Sequence, residues 1–166
     1  MTSYSGSAGG DKMGSGDVLR NGEPQFCDIT AFPRGTLLAL LTDAYACDPH
    51  FAAYWREDWR TFDDFFYDNP RIAQRYGLMS VLDGKPIGFV SWDPRHQPEY
   101  ATVGHNCIQR AWRGRGYGAR QLREALRRME SDGARKAIVT SNASLEAAQG
   151  MYRAVGFRLL RERENP

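Results

Sequence analysis

Arg113-Gly114-Arg115-Gly116-Tyr117-Gly118 is the stretch on which the reading of this chain turns. Upstream of it, Ala101 to Ile108 alternates and reads as a strand. Downstream, Ala119 to Asp132 reads as a helix, with Ala119, Leu122, Ala125, Leu126 and Met129 at helical spacing. A glycine-rich turn between strand and helix aims several backbone N–H groups at one point, and the helix dipole adds positive potential there. Such a turn suits a phosphate or pyrophosphate. No Gly-Lys-Ser/Thr closes it, so it is not a P-loop. Its misplaced glycines, and the lack of an acidic residue about twenty positions on, exclude a dinucleotide fingerprint.

Composition narrows the surroundings of that turn. A chain of 166 residues suits one domain with a real core. A net charge of +2 gives no general pull toward nucleic acid or membrane. No apolar run approaches the roughly 20 residues of a bilayer span, and no apolar signal-peptide centre follows the N-terminus. Cys27, Cys47 and Cys107 are scattered and odd in number, which fits reduced thiols and a cytoplasmic location. His50, His96 and His105 lack metal-ligand spacing, so no metal site is expected.

Residues 1–24 are rich in Gly and Ser with little to bury and are expected to form a flexible tail. Gln25 to Ala31 reads as a first strand and Thr36 to Ala46 as a short apolar helix. His50 to Asp68 interleaves eight aromatic residues with acids and reads as two helical pieces broken near Trp59 to Phe62, stopped by Asn69-Pro70. It is either an amphipathic helix with a solvated acidic face or part of a pocket wall that favours a cation, with Asp63 and Asp64 supplying charge. Asp83-Gly84 is a two-residue hairpin signal joining Gly77–Leu82 to Lys85–Trp92. In Ala101 to Ile108, strict alternation puts Ala101, Val103, His105 and Cys107 on one face and Thr102, Gly104 and Asn106 on the other. Lys136 to Thr140 is a β-branched strand, Leu145 to Val155 a helix closed by Gly156, and Phe157 to Glu162 a last strand. Gly150, inside that helix, suggests a close backbone approach.

The spacing Arg/Gln-x-x-Gly-x-Gly/Ala, filled by Arg113, Gly116 and Gly118, resembles the coenzyme A pyrophosphate loop of the GNAT superfamily of N-acyltransferases. Tyr152 with Gly156-Phe157 resembles that family's Tyr-x-x-x-Gly-Phe ending. The resemblance runs from Gln25 to the C-terminus. It implies one α/β domain over residues 25–166: a mixed, mostly antiparallel sheet with helices on both faces, splayed at its centre. Relatives usually continue into one more strand, so an unpaired edge, or a partner chain in a homodimer, is expected. The implied activity is acetyl transfer from acetyl-CoA to a primary amine of a small molecule or peptide, with no nucleic-acid or membrane partner. The alternative is a catalytically weak acyl-CoA-binding or sensing module.

The same resemblance assigns residues. Cofactor contacts fall on Cys107, Ile108, Arg113, Gly114, Arg115, Gly116, Tyr117, Gly118 and Tyr152, and on Asn142, which otherwise only caps the next helix. Many relatives carry a glutamate base on the central strand; Thr102 stands in that place here and cannot do the work. His105 is then the titratable substitute, or else a satisfied core histidine. Asn106 is a candidate for orienting a water or the amine. Tyr152 is the candidate to protonate the departing thiolate. His96 and Glu99 are minor candidates in the loop near the acceptor mouth.

Overall fold

The computed structural model describes residues 2–7, 22–141 and 146–162. The chain order is β1 (Thr2–Ser7), β2 (Gln25–Cys27), α1 (Thr36–Ala44), α2 (Pro49–Asp68), α3 (Pro70–Tyr76), β3 (Gly77–Leu82), β4 (Lys85–Asp93), β5 (Ala101–Ile108), α4 (Tyr117–Ser131), β6 (Lys136–Ser141), α5 (Glu146–Ala154) and β7 (Arg158–Glu162). The strands form one seven-stranded sheet in the order β2-β3-β4-β5-β6-β1-β7. Every pairing is antiparallel except β5 with β6. The expected mixed, mostly antiparallel sheet with helices on both faces is therefore what the chain forms.

Two cores follow from the sheet's two faces. On one, Leu37, Leu40 and Leu41 of α1, Trp59 and Phe66 of α2, and Ala73 of α3 pack on Met79, Val81, Phe89 and Cys107. On the other, Leu122, Ala125, Leu126 and Met129 of α4 join Tyr152 and Phe157 over Leu78, Val90, Trp92, Ala101, Val103, Ala137 and Val139. Because β3 is covered on both sides, all six of its residues are buried, the polar Ser80 among them.

Four sequence expectations change. Thr2–Ser7 is not a free tail: it pairs antiparallel with β6 on one side and β7 on the other. The seventh strand thus comes from the N-terminal segment, and β7, paired with β1 on one side, is an edge of the sheet. The first strand ends at Cys27, and Ile29–Ala31 turns into a single 3-10 turn that buries Ile29. The aromatic segment is one unbroken 20-residue helix rather than two pieces. Asp48 caps it by accepting from Phe51 N at 3.0 Å, Pro49 opens its first turn, and docking of Trp59 and Phe66 outweighs the modest helix propensity of its aromatics. Pro70 does more than stop that helix: it occupies the first turn of α3, where a missing N–H costs nothing.

The register of β5 matters most for function. Val90 pairs with Asn106, and Trp92 pairs with Val103. Two steps along β4 therefore match three along β5, so β5 bulges between Val103 and Asn106. Strict alternation fails there. Ala101 and Val103 face α4, whereas Cys107 faces α1 and α2. Beside it, β5 pairs with β6 only over Ala101 to Val103. Beyond that point the two parallel strands are unpaired among the described residues, along the half of β5 that leads to the glycine turn.

Candidate active site

The gap between β5 and β6 has the glycine turn at its mouth. Arg110–Trp112 makes a 3-10 turn, and the chain then reverses through Gly114 at φ 74° and Gly116 at φ 82°. Both values are left-handed, a region that favours glycine. Gly116 is the N-cap of α4 and offers no side-chain acceptor, so the amides of the helix's first turn keep their N–H groups available to an anion. Gly118 is small for a different reason: a Cβ there would lie 2.9 Å from Met151 Sδ of α5. The glycine lets α5 close against α4.

The side chains of the turn divide their work. Arg113 donates from Nε to Ile108 O at 3.2 Å and from its terminal nitrogen to Ala44 O at the end of α1. Its cation therefore ties the turn to β5 and sits at a helix C-terminus, where the dipole favours it. Its part in any anion site is to shape the turn. Arg115 lies 5.0 Å over the Trp112 ring and is exposed. Tyr117 donates its hydroxyl to Gly22 O at 3.1 Å, and Arg120 pairs with Glu23 at 2.9 Å, so the segment entering β2 is clipped to the start of α4.

The two β5 candidates face opposite ways, as neighbours on a strand do. His105 is half-buried on the α2 side, with the Phe62 ring 4.6 Å away edge-on and Phe89 at 6.5 Å. Burial lowers its pKa below the usual 6.5, because the charged form loses water in that aromatic setting. Asn106 turns the other way, toward α4 and α5, accepting from Gln121 Nε2 at 2.7 Å. The two are on opposite faces of one strand, so they do not act side by side on the same atom. The Cys107 thiol is buried under α1, and burial pushes it up to about 12. It is inert, and the carbonyls of Cys107 and Ile108 accept from Gln121 Nε2 and Arg113 Nε. Tyr152 is 6 % exposed, with its ring 5.7 Å from Phe157 in the α4 core. Asn142 lies outside the described residues. Thr102 pairs with Asp93, and His96 stacks on Tyr100 at 4.7 Å within its own loop.

The acidic pocket wall is corrected. Asp63 is 2 % exposed and accepts from the amides of Gly35, Leu37 and Leu38 at 2.8, 2.9 and 3.2 Å. It caps α1, whose own N-cap is a glycine with no side chain to offer. Asp64 and Asp68 are paired with Arg34. Sequence reasoning counted these carboxylates as free charge because a helix's partner in space is invisible to its own periodicity. Gln121 was missed altogether. Its position belongs to the Gly118, Leu122, Ala125 and Met129 stripe, and a polar residue in an apolar stripe was the available signal. Among the described residues, no group of three or more His, Cys, Asp or Glu side chains can hold a metal ion, and no helix is long and apolar enough to cross a membrane.

Residues 37–157 match the family model described as the acetyltransferase (GNAT) family. A mycothiol acetyltransferase of Corynebacterium glutamicum is 35% identical over 80 residues, which is 48% of this chain and 27% of that protein. The chain thus matches about a quarter of the curated relative's length. Among solved structures, an aminoglycoside N-acetyltransferase in complex with CoA superposes with a TM-score of 0.61 at 16% identity, covering 90% of this chain and 99% of the other. A GNAT family acetyltransferase from Brucella melitensis in complex with acetyl-CoA gives 0.58 at 16% identity, covering 86% and 91%.

Proposed function

The chain belongs to the acetyltransferase (GNAT) family, and we propose that it transfers an acetyl group from acetyl-CoA to a primary amine. One observation carries this reading: β5 and β6 part after Val103 and Val139, and the uncapped N-terminus of α4 with its two left-handed glycines stands at the opening. The residues present suit the cosubstrate. The amides from Gly114 to Gly118 hold the pyrophosphate, and exposed Arg115 adds charge beside it. The unpaired edge of β5 past Val103 leaves backbone groups free to bond the arm.

When bound, acetyl-CoA supplies an activated acyl thioester. The chain's own groups move protons around it. His105, neutral at pH 7 because burial lowers its pKa, takes the proton that the attacking amine must lose. As the C–N bond forms and the C–S bond breaks, the sulfur takes up a proton, for which Tyr152 is the candidate donor. Phe62 and Phe89 around His105 limit water on that side.

Thiol release from acetyl-CoA, screened against small amines, peptides and aminoglycosides, tests this. Melting measured alongside separates binding from turnover. A ligand about a hundredfold above its Kd stabilises by about 2.7 kcal/mol, or about 5–10 °C for a chain of this size. A shift without thiol release from any amine would make the chain an acyl-CoA-binding module. No shift at saturating acetyl-CoA would end the proposal.

A further inference from the structure

Gln121 is fully buried in α4, and no step above uses it. Ser80 Oγ donates to its Oε1 at 2.6 Å. Its Nε2 faces three oxygens: Asn106 Oδ1 at 2.7 Å, Phe89 O at 2.8 Å and Cys107 O at 3.3 Å. Backbone carbonyls can only accept, so the nitrogen end of Gln121 must be the end directed at β4 and β5. That orientation propagates. Asn106 has to present its oxygen to Gln121, which sends its Nδ2 away from α4, toward Met151 Sδ at 3.8 Å. A thioether is a weak acceptor, so this donor is poorly satisfied within the protein. Asn106 also lies beyond Val103, the last β5 residue paired with β6, and so stands where the sheet is open.

We propose that Gln121 is a positioning residue, which fixes the Asn106 carboxamide so that Nδ2 donates a hydrogen bond to a carbonyl oxygen of the acyl-CoA arm. The inference rests on the assignment of acyl-CoA to the gap. Among the described residues, no other partner distinguishes the two ends of Asn106, because Met151 sulfur discriminates poorly between them. Without Gln121 the carboxamide is free to flip, and the oxygen then meets the ligand's carbonyl, acceptor against acceptor. Gln121 therefore acts through Asn106 and touches no substrate.

Two probes separate the proposal from its premise: acetyl-CoA, and 3′-phospho-ADP, which carries the pyrophosphate but no arm. Their Kd values are measured by calorimetry, with no turnover required. Asn106→Asp keeps an oxygen for Gln121 and replaces the donor by an acceptor. It is expected to weaken acetyl-CoA about tenfold, near the upper end for one hydrogen bond, and to leave 3′-phospho-ADP unchanged. Gln121→Met removes the amide at similar length and is expected to weaken acetyl-CoA in the unmutated background. In an Asn106→Ala background it should add nothing further, the non-additivity of two residues acting as one.

If both probes bind the unmutated protein and Asn106→Asp leaves acetyl-CoA affinity unchanged, the donor role is wrong. An equal effect of Gln121→Met with and without Asn106 means general packing and overturns the positioning role. Equal loss of both probes in either variant does the same. If the unmutated protein binds neither probe, the acyl-CoA assignment itself falls and this proposal with it. Should Gln121→Met fail to fold, the Asn106→Asp comparison still decides the donor.

Discussion

Asp63 shows how one buried carboxylate serves an element distant in sequence. Its oxygens satisfy three amides at the start of α1 that no local side chain can reach. Asp63→Ala should cost about 2–3 kcal/mol, the loss of a cap together with stranded donors, and lower the melting midpoint by about 5–10 °C. Asp63→Asn keeps one acceptor oxygen and should lose less. Equal melting of all three proteins would show that the cap contributes nothing. His105 gives a pH prediction. Its folded pKa lies below the unfolded 6.5, so the folded state binds fewer protons in that window. The stability it contributes is complete above pH 6.5 and falls as pH drops toward the folded value. The acidic limb of kcat/KM should inflect below 6.5 and disappear in His105→Ala; an unchanged limb would assign the base elsewhere. Tyr152→Phe should lower kcat and kcat/KM together by about 10²–10⁴-fold. Near-normal kcat would make the hydroxyl structural.

At the scale of elements, α5 tests the meaning of a helical glycine. The sequence suggested a close approach at Gly150, yet a Cβ there meets nothing within 4 Å, while Gly118 on α4 is the glycine that a neighbour crowds. Gly150→Ala should therefore stabilise by roughly 1 kcal/mol, read as a melting rise of about 2–4 °C. Gly118→Ala should gain less, because Met151 Sδ must shift to admit the methyl group. A destabilising Gly150→Ala would mean that α5 packs more tightly than its described neighbours. In α2 the aromatic spacing was legible and the continuity was not. Whether a run of poor helix formers stays helical depends on what it docks against, here α1 through Trp59, Phe62 and Phe66.

For the whole molecule, closure of the sheet is decided by pairing between distant segments. Ser5 of β1 sits opposite Ile138 of β6 and Arg158 of β7, so it stands between two strands that do not pair with each other. Ser5→Pro removes a donor from a central strand and should destabilise by about 2–3 kcal/mol, checked by thermal or urea unfolding. Ser5→Val, a better strand former, should be neutral or stabilising. If Ser5→Pro melts like the unmutated chain, β1 does not hold β6 and β7 together.

The amino-acid pattern alone determined the glycine turn and its strand–helix setting, the Asp83-Gly84 hairpin, the α4 stripe and the family-like spacing. All of these are encoded within a few residues of one another, where periodicity and turn chemistry act directly. Only the tertiary structure decided that Thr2–Ser7 fills the sheet, that Asp63 caps α1, and that a bulge puts Cys107 on the face opposite Ala101 and Val103. A bulge shifts register by one residue with no change in local composition, and it therefore overturned the alternation read for Ala101 to Ile108. The buried amide of Gln121 belongs to the same class. Its partners Ser80, Phe89 and Asn106 come from three strands, and the chain must fold before they become neighbours.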